Sequence, residues 1–156
     1  MKKFALTLAA SAVLCLTGLA VAAAPASADG VQDEVDRILV EFPGGTQIDD
    51  NVIVWEGGTV RLDLANDEFP SRAVGTCATG NFCAWSGTGL TGSKLSFSAC
   101  GSYSTAALGT TRSVANARTS KNVSVKNSSG TVLATLAPGA SDGTAPTSTA
   151  TLACVS

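Results

Sequence analysis

The apolar positions of this chain change period along its length. From Phe4 to Ala22 they run without a single charge. Val31, Val35, Ile38, Leu39 and Phe42 then fall at i, i+4, i+7, i+8 and i+11, with Asp33, Glu34, Asp36 and Glu41 between them. That spacing predicts one amphipathic helix over residues 29–42. Asp29 and Gln32 have capping-box spacing, and Pro43-Gly44-Gly45 stops the helix. At residues 52–64 the period becomes two. Val52–Trp55 is β-branched and apolar, Glu56-Gly57-Gly58-Thr59 turns the chain, and Val60, Leu62 and Leu64 alternate with Arg61 and Asp63. This predicts a β-hairpin. After residue 76 only short alternating runs remain: Phe82–Trp85, Lys94–Ala99, Asn122–Lys126, Thr131–Leu136 and Thr149–Val155. Gly, Ser and Thr separate them, as in a β-sandwich or Greek key. Residues 140–149 read as a loop with little to hold it.

The first stretch is an export signal rather than a membrane span. Lys2 and Lys3 precede it, small residues fill it, and Ala26-Ser27-Ala28 is a cleavage pattern. Cleavage is expected after Ala28, so the mature protein is expected to be extracellular, off the membrane and monomeric. Cys15 leaves with the signal, and Leu14 before it argues against a lipid anchor. Residues 29–72 form a separate acidic segment, a helix plus hairpin with a polar linker at 66–72 and a candidate pro-segment. Residues 73–156 form the second unit.

Cysteine and charge sharpen that division. Cys77, Cys83, Cys100 and Cys154 remain after export. Four cysteines allow three connectivities. The short, glycine-containing interval favours Cys77–Cys83, which leaves Cys100–Cys154. Residues 29–70 carry a net charge of −9 and residues 71–156 a net charge of +5. The two halves are therefore expected to dock or to meet different partners. A core of some forty residues is thin by itself, so docking through Val35, Ile38 and Leu39 is the expectation. Scattered cations and few aromatics argue against a nucleic-acid surface.

The usual tools of catalysis are missing. The chain has no histidine, which removes His-activated nucleophiles and the common zinc sites. The cysteines are expected to be oxidised. The C-terminal unit holds one carboxylate, Asp142, where paired-carboxylate hydrolysis needs two. No enzyme, no cofactor and no metal are expected.

One segment is specific: Cys77-Ala-Thr-Gly-Asn-Phe-Cys83-Ala-Trp85-Ser-Gly87-Thr-Gly89-Leu90-Thr-Gly92. It reads as a cystine loop, a strand with an aromatic, and a glycine-rich turn. Trp85 and Gly92 have the aromatic-x6-Gly spacing of a βγ-crystallin hairpin, in which the glycine lets the turn close against the ring. The run resembles the secreted metalloproteinase inhibitors of streptomycetes, single-domain proteins of βγ-crystallin-like fold. Arg112-Ser113-Val114-Ala115-Asn116 and Leu136-Ala137-Pro138-Gly139-Ala140 are similar to two further stretches of that family. The resemblance covers about residues 75–140, and residues 29–70 look like an extension carried by some exported members.

The resemblance implies a βγ-crystallin-like Greek-key sandwich and an extracellular protein partner, a metalloprotease being the candidate. It does not carry over the reactive bond. The family presents that bond on a second cystine loop, and here the interval from Val125 to Thr131 holds no cysteine. The constrained loop that remains is Ala78–Phe82, with Phe82 as the candidate contact. Leu108–Ser113 lacks the acid or amide pair of a crystallin calcium site. The alternative reading is a βγ-crystallin-like structural, carbohydrate-binding or toxin-like module without inhibitory activity.

Overall fold

The structure, a computed structural model, describes residues 27–65 and 77–155. Residues 1–26 of the expected export signal and the expected linker at 66–72 lie outside them. Helix α1 spans Ser27–Glu41. It begins ahead of Asp29, so Asp29 lies inside the helix and is not its cap. Val35 and Ile38 are fully buried while Val40, on the opposite side, is 84% exposed. Among the described residues no helix is long and apolar enough to cross a membrane.

Among the described residues eleven strands follow: β1 Thr46–Asp49, β2 Val52–Trp55, β3 Val60–Asp63, β4 Phe82–Trp85, β5 Lys94–Phe97, β6 Ser102–Ser104, β7 Ser113–Asn116, β8 Asn122–Lys126, β9 Val132–Leu136, β10 Ser141–Asp142 and β11 Thr151–Val155. They make two antiparallel sheets. The larger has the order β1-β2-β3-β5-β4-β7-β10, and the smaller β6-β11-β8-β9. The protein is thus mostly β, with one helix ahead of the strands.

The acidic segment and the cysteine-bearing region share the larger sheet. Strand β3 pairs with β5 in the register Val60↔Phe97, Leu62↔Leu95 and Asp63↔Lys94. Leu62, Leu95, Phe97, Phe82, Ala84 and Val114 point to the inner face. Val35 and Ile38 of α1 cover the β2–β3 end of that face, and Val123, Val125 and Leu152 of the smaller sheet cover the rest. Apolar packing and a backbone ladder hold the two parts together. Among the described residues one ion pair crosses between them, Asp63 to Lys94 at 3.5 Å.

Four strands were hidden in the sequence. In β7 all four residues are buried, the polar Ser113 and Asn116 included, so no alternation shows. Both side chains are fully used: Asn116 donates to the carbonyls of Lys121 and Leu136 and accepts from the Arg118 N–H. Residues 140–149 are fastened, which corrects their reading as a loose loop. β10 pairs with β7, Ala145 and Thr149 are buried, and the Thr149 hydroxyl donates to the Pro146 carbonyl at 2.6 Å.

Candidate functional site

The cystine loop is built by the disulfide at its base and by strand β7's exit at its side. Cys77 and Cys83 are bonded. Inside the loop the Gly80 N–H donates to the Ala117 carbonyl at 2.9 Å, and the Ala117 N–H donates to the Asn81 carbonyl at 3.0 Å. The Arg118 guanidinium donates to the Gly80 carbonyl at 2.8 Å. Only Ala78 and Thr79 are exposed. Phe82 is fully buried, with its ring centroid 5.0 Å from that of Phe97 and 6.0 Å from that of Tyr103. Its ring is therefore a core element and offers no surface contact, because β4 turns residue 82 to the inner face of the sheet.

The glycine-rich turn at Ser86–Gly92 closes on its own backbone. The Gly87 N–H donates to the Thr91 carbonyl, and Ser113 Oγ both accepts from the Leu90 N–H and donates to the Gly87 carbonyl. Gly92 has φ +78°, and a Cβ there would stand 2.5 Å from Ser86 Oγ. The crowding partner is thus Ser86, not the Trp85 ring. Trp85 is fully buried on the outer face against Cys83, Ala115, Cys77 and Leu90. A Cβ on Gly87 would meet Thr91 Oγ1 at 2.5 Å, whereas Gly89 is exposed with open space around it.

A third loop was not recognised as constrained from the sequence. Asn127 opens the turn between β8 and β9, and its Oδ1 accepts from the Ser129 N–H at 3.1 Å, the Ser129 hydroxyl at 2.8 Å and the Thr131 N–H at 2.8 Å. Backbone bonds add to this: Asn127 N–H to Thr131 carbonyl and Gly130 N–H to Asn127 carbonyl, each 3.0 Å. One side chain thus takes the place of a covalent clamp. Ser128, Ser129, Gly130 and Thr131 are exposed, and Val132 beside them is 52% exposed. The signal in the sequence is Asn127-Ser128-Ser129-Gly130, an Asx-turn pattern.

The remaining pair, Cys100 and Cys154, is bonded and ties the start of β6 to β11. The two bridges are those the spacing favoured. Among the described residues no cluster of three or more His, Cys, Asp or Glu side chains could hold a metal ion.

These loops lie in a region with relatives. Residues 70–131 match the model of peptidase inhibitor family I36. The match spans less than half of the chain, and it includes the cystine loop, the glycine-rich turn and the Asn127 turn. It supports a peptidase-inhibitor role, a protease partner and a non-catalytic protein. No curated protein and no solved structure matches the chain.

Proposed function

We propose that this chain is a secreted inhibitor that blocks an extracellular protease by presenting the Asn127–Val132 turn to the enzyme's cleft. The observation that carries this reading is the three-bond clamp of Asn127 Oδ1 on an exposed turn whose residues 127–131 lie within the inhibitor-family match. A substrate-like inhibitor must lose its loop entropy before binding, since ordering a loop on the enzyme subtracts from affinity. Two disulfides, of which one spans 54 positions, support an oxidising, extracellular setting. The likeness to the streptomycete inhibitors points to a metalloprotease of the thermolysin type, and the half-exposed Val132 supplies an apolar side chain for such a pocket. The same reading assigns residues 1–28 as export signal, 29–72 as an N-terminal segment, and 73–156 as a monomeric βγ-crystallin-like Greek key.

The test is to incubate the purified protein with an equal amount of a thermolysin-type enzyme. A complex should co-elute, and slow cleavage should fall between residues 127 and 132. Cleavage only elsewhere, or no complex with any protease class, would count against the reading. The cystine loop is the second candidate, supported by its disulfide and by exposed Ala78 and Thr79.

A further inference from the structure

The inner face of the larger sheet is covered by α1 at one end and by the smaller sheet at the other. Between them lies a cleft of about 540 Å³. Its floor is Trp55, Val60 and Tyr103, and Tyr103 stacks on the buried Phe97 with centroids 4.9 Å apart. Trp55 is fixed in place, for its Nε1–H donates to the Phe42 carbonyl at 3.0 Å. The rim carries Glu41 and Glu56, and no cation is among the cleft's described lining residues. Glu41 shares its charge with Arg37. Glu56 makes no ion pair among the described residues and is held at φ +50°, a conformation that disfavours a side chain.

One wall is a free strand edge. Among the described residues strand β6 ends its sheet and pairs only with β11. The Thr105 N–H donates to Ala150, and Cys154 donates to the Gly101 carbonyl. Antiparallel bonding alternates, so Ser102 and Ser104 turn their backbone groups away from β11, and both line the cleft. We infer that the cleft binds an extended, basic peptide segment that adds to the free edge of β6, lays an apolar side chain on Trp55 and Tyr103, and sets an Arg or Lys beside Glu56. Backbone bonds give such a complex its affinity and the side-chain pockets its specificity. An acidic rim over aromatic faces suits a guanidinium or ammonium group. The site is separate from the Asn127 turn, so protease inhibition need not change when it is filled.

The probe is a capped peptide of sequence Ser-Arg-Leu-Arg-Ser-Val, titrated into the full chain with both disulfides formed. The readout is Trp fluorescence, in which Trp55 is the responsive ring because Trp85 is fully buried. The Arg peptide should saturate the signal. A Glu-for-Arg peptide should bind at least about fivefold more weakly, and N-methylation of alternate peptide nitrogens should abolish binding. Glu56→Gly relieves the backbone, so it should keep or raise the melting temperature while weakening the Arg peptide about fivefold. Equal binding of Arg and Glu peptides, indifference to N-methylation, saturation by a neutral oligosaccharide instead, or no binding at millimolar peptide would each overturn the inference.

Discussion

At the scale of single residues, the site depends on side chains that spend their polarity on the backbone. Asn127 holds three donors with one oxygen, so Asn127→Ala frees the turn and leaves the strands in place. Its stability cost should be about 1 kcal/mol by urea unfolding, because the groups it abandons can reach water. Phe82 behaves oppositely. Fully buried and stacked on Phe97, it should cost about 3–5 kcal/mol as Phe82→Ala, while inhibition per folded molecule stays unchanged. Two glycines of one turn separate conformation from crowding. Gly89 and Gly92 both have positive φ, but only Gly92 faces an atom, Ser86 Oγ, at 2.5 Å. Gly89→Ala should therefore cost about 1–2 kcal/mol, and Gly92→Ala clearly more, in parallel thermal melts.

At the scale of elements, the hairpin is part of the larger sheet and the helix packs on that sheet. Ile38→Ala should cost about 2–5 kcal/mol, and removing residues 27–65 should expose the β5 edge with Leu95 and Phe97 beneath it. Light scattering should then rise with concentration, as expected of an uncovered edge. A truncated protein as stable and as soluble as the full chain would contradict this. The same elements show what the sequence could and could not tell. The apolar stripe of α1, the hairpin and the five short runs were legible because apolar side chains mark each of them, even β4, which is buried on both faces. Strand β7 was not, because Ser113 and Asn116 are buried polar residues whose partners include Gly87 and Leu136, 26 and 20 positions away. Strands β6 and β10 have three and two residues, too few to display a period. The disulfides were legible from spacing, whereas the Asn127 clamp needed the turn's geometry, and burial of Phe82 needed to be known before its role could be judged.

At the scale of the whole molecule, the charge imbalance between the halves does little of the joining. One crossing ion pair stands beside a full β3–β5 ladder and a shared core, and such pairs contribute about 0–1 kcal/mol. Raising salt should accordingly leave the unfolding midpoint nearly unchanged. Cys100–Cys154 closes a 54-residue separation, so its loss should cost about 4 kcal/mol in the chain-entropy account. Reduction should thus lower stability more through this bridge than through Cys77–Cys83. The chain has no histidine, and stability should be flat between about pH 5 and 8. Glu34 is hydrogen-bonded by Arg37, which lowers its pKa. A depressed carboxylate stabilises above its unfolded pKa, so this small contribution is present at neutral pH and lost as acid protonates it.

The central claim is that an Asn127-clamped turn inhibits a protease, and an inhibition titration tests it most directly. A thermolysin-type enzyme at fixed concentration should lose activity in proportion to added native protein, up to one equivalent. Asn127→Ala, confirmed folded by its disulfides and melting curve, should inhibit about tenfold more weakly, the equivalent of roughly 1.4 kcal/mol. Unchanged inhibition by Asn127→Ala would place the inhibitory surface elsewhere, and an enzyme that keeps full activity at excess native protein, with proteases of the other classes equally unaffected, would contradict the inhibitor account itself.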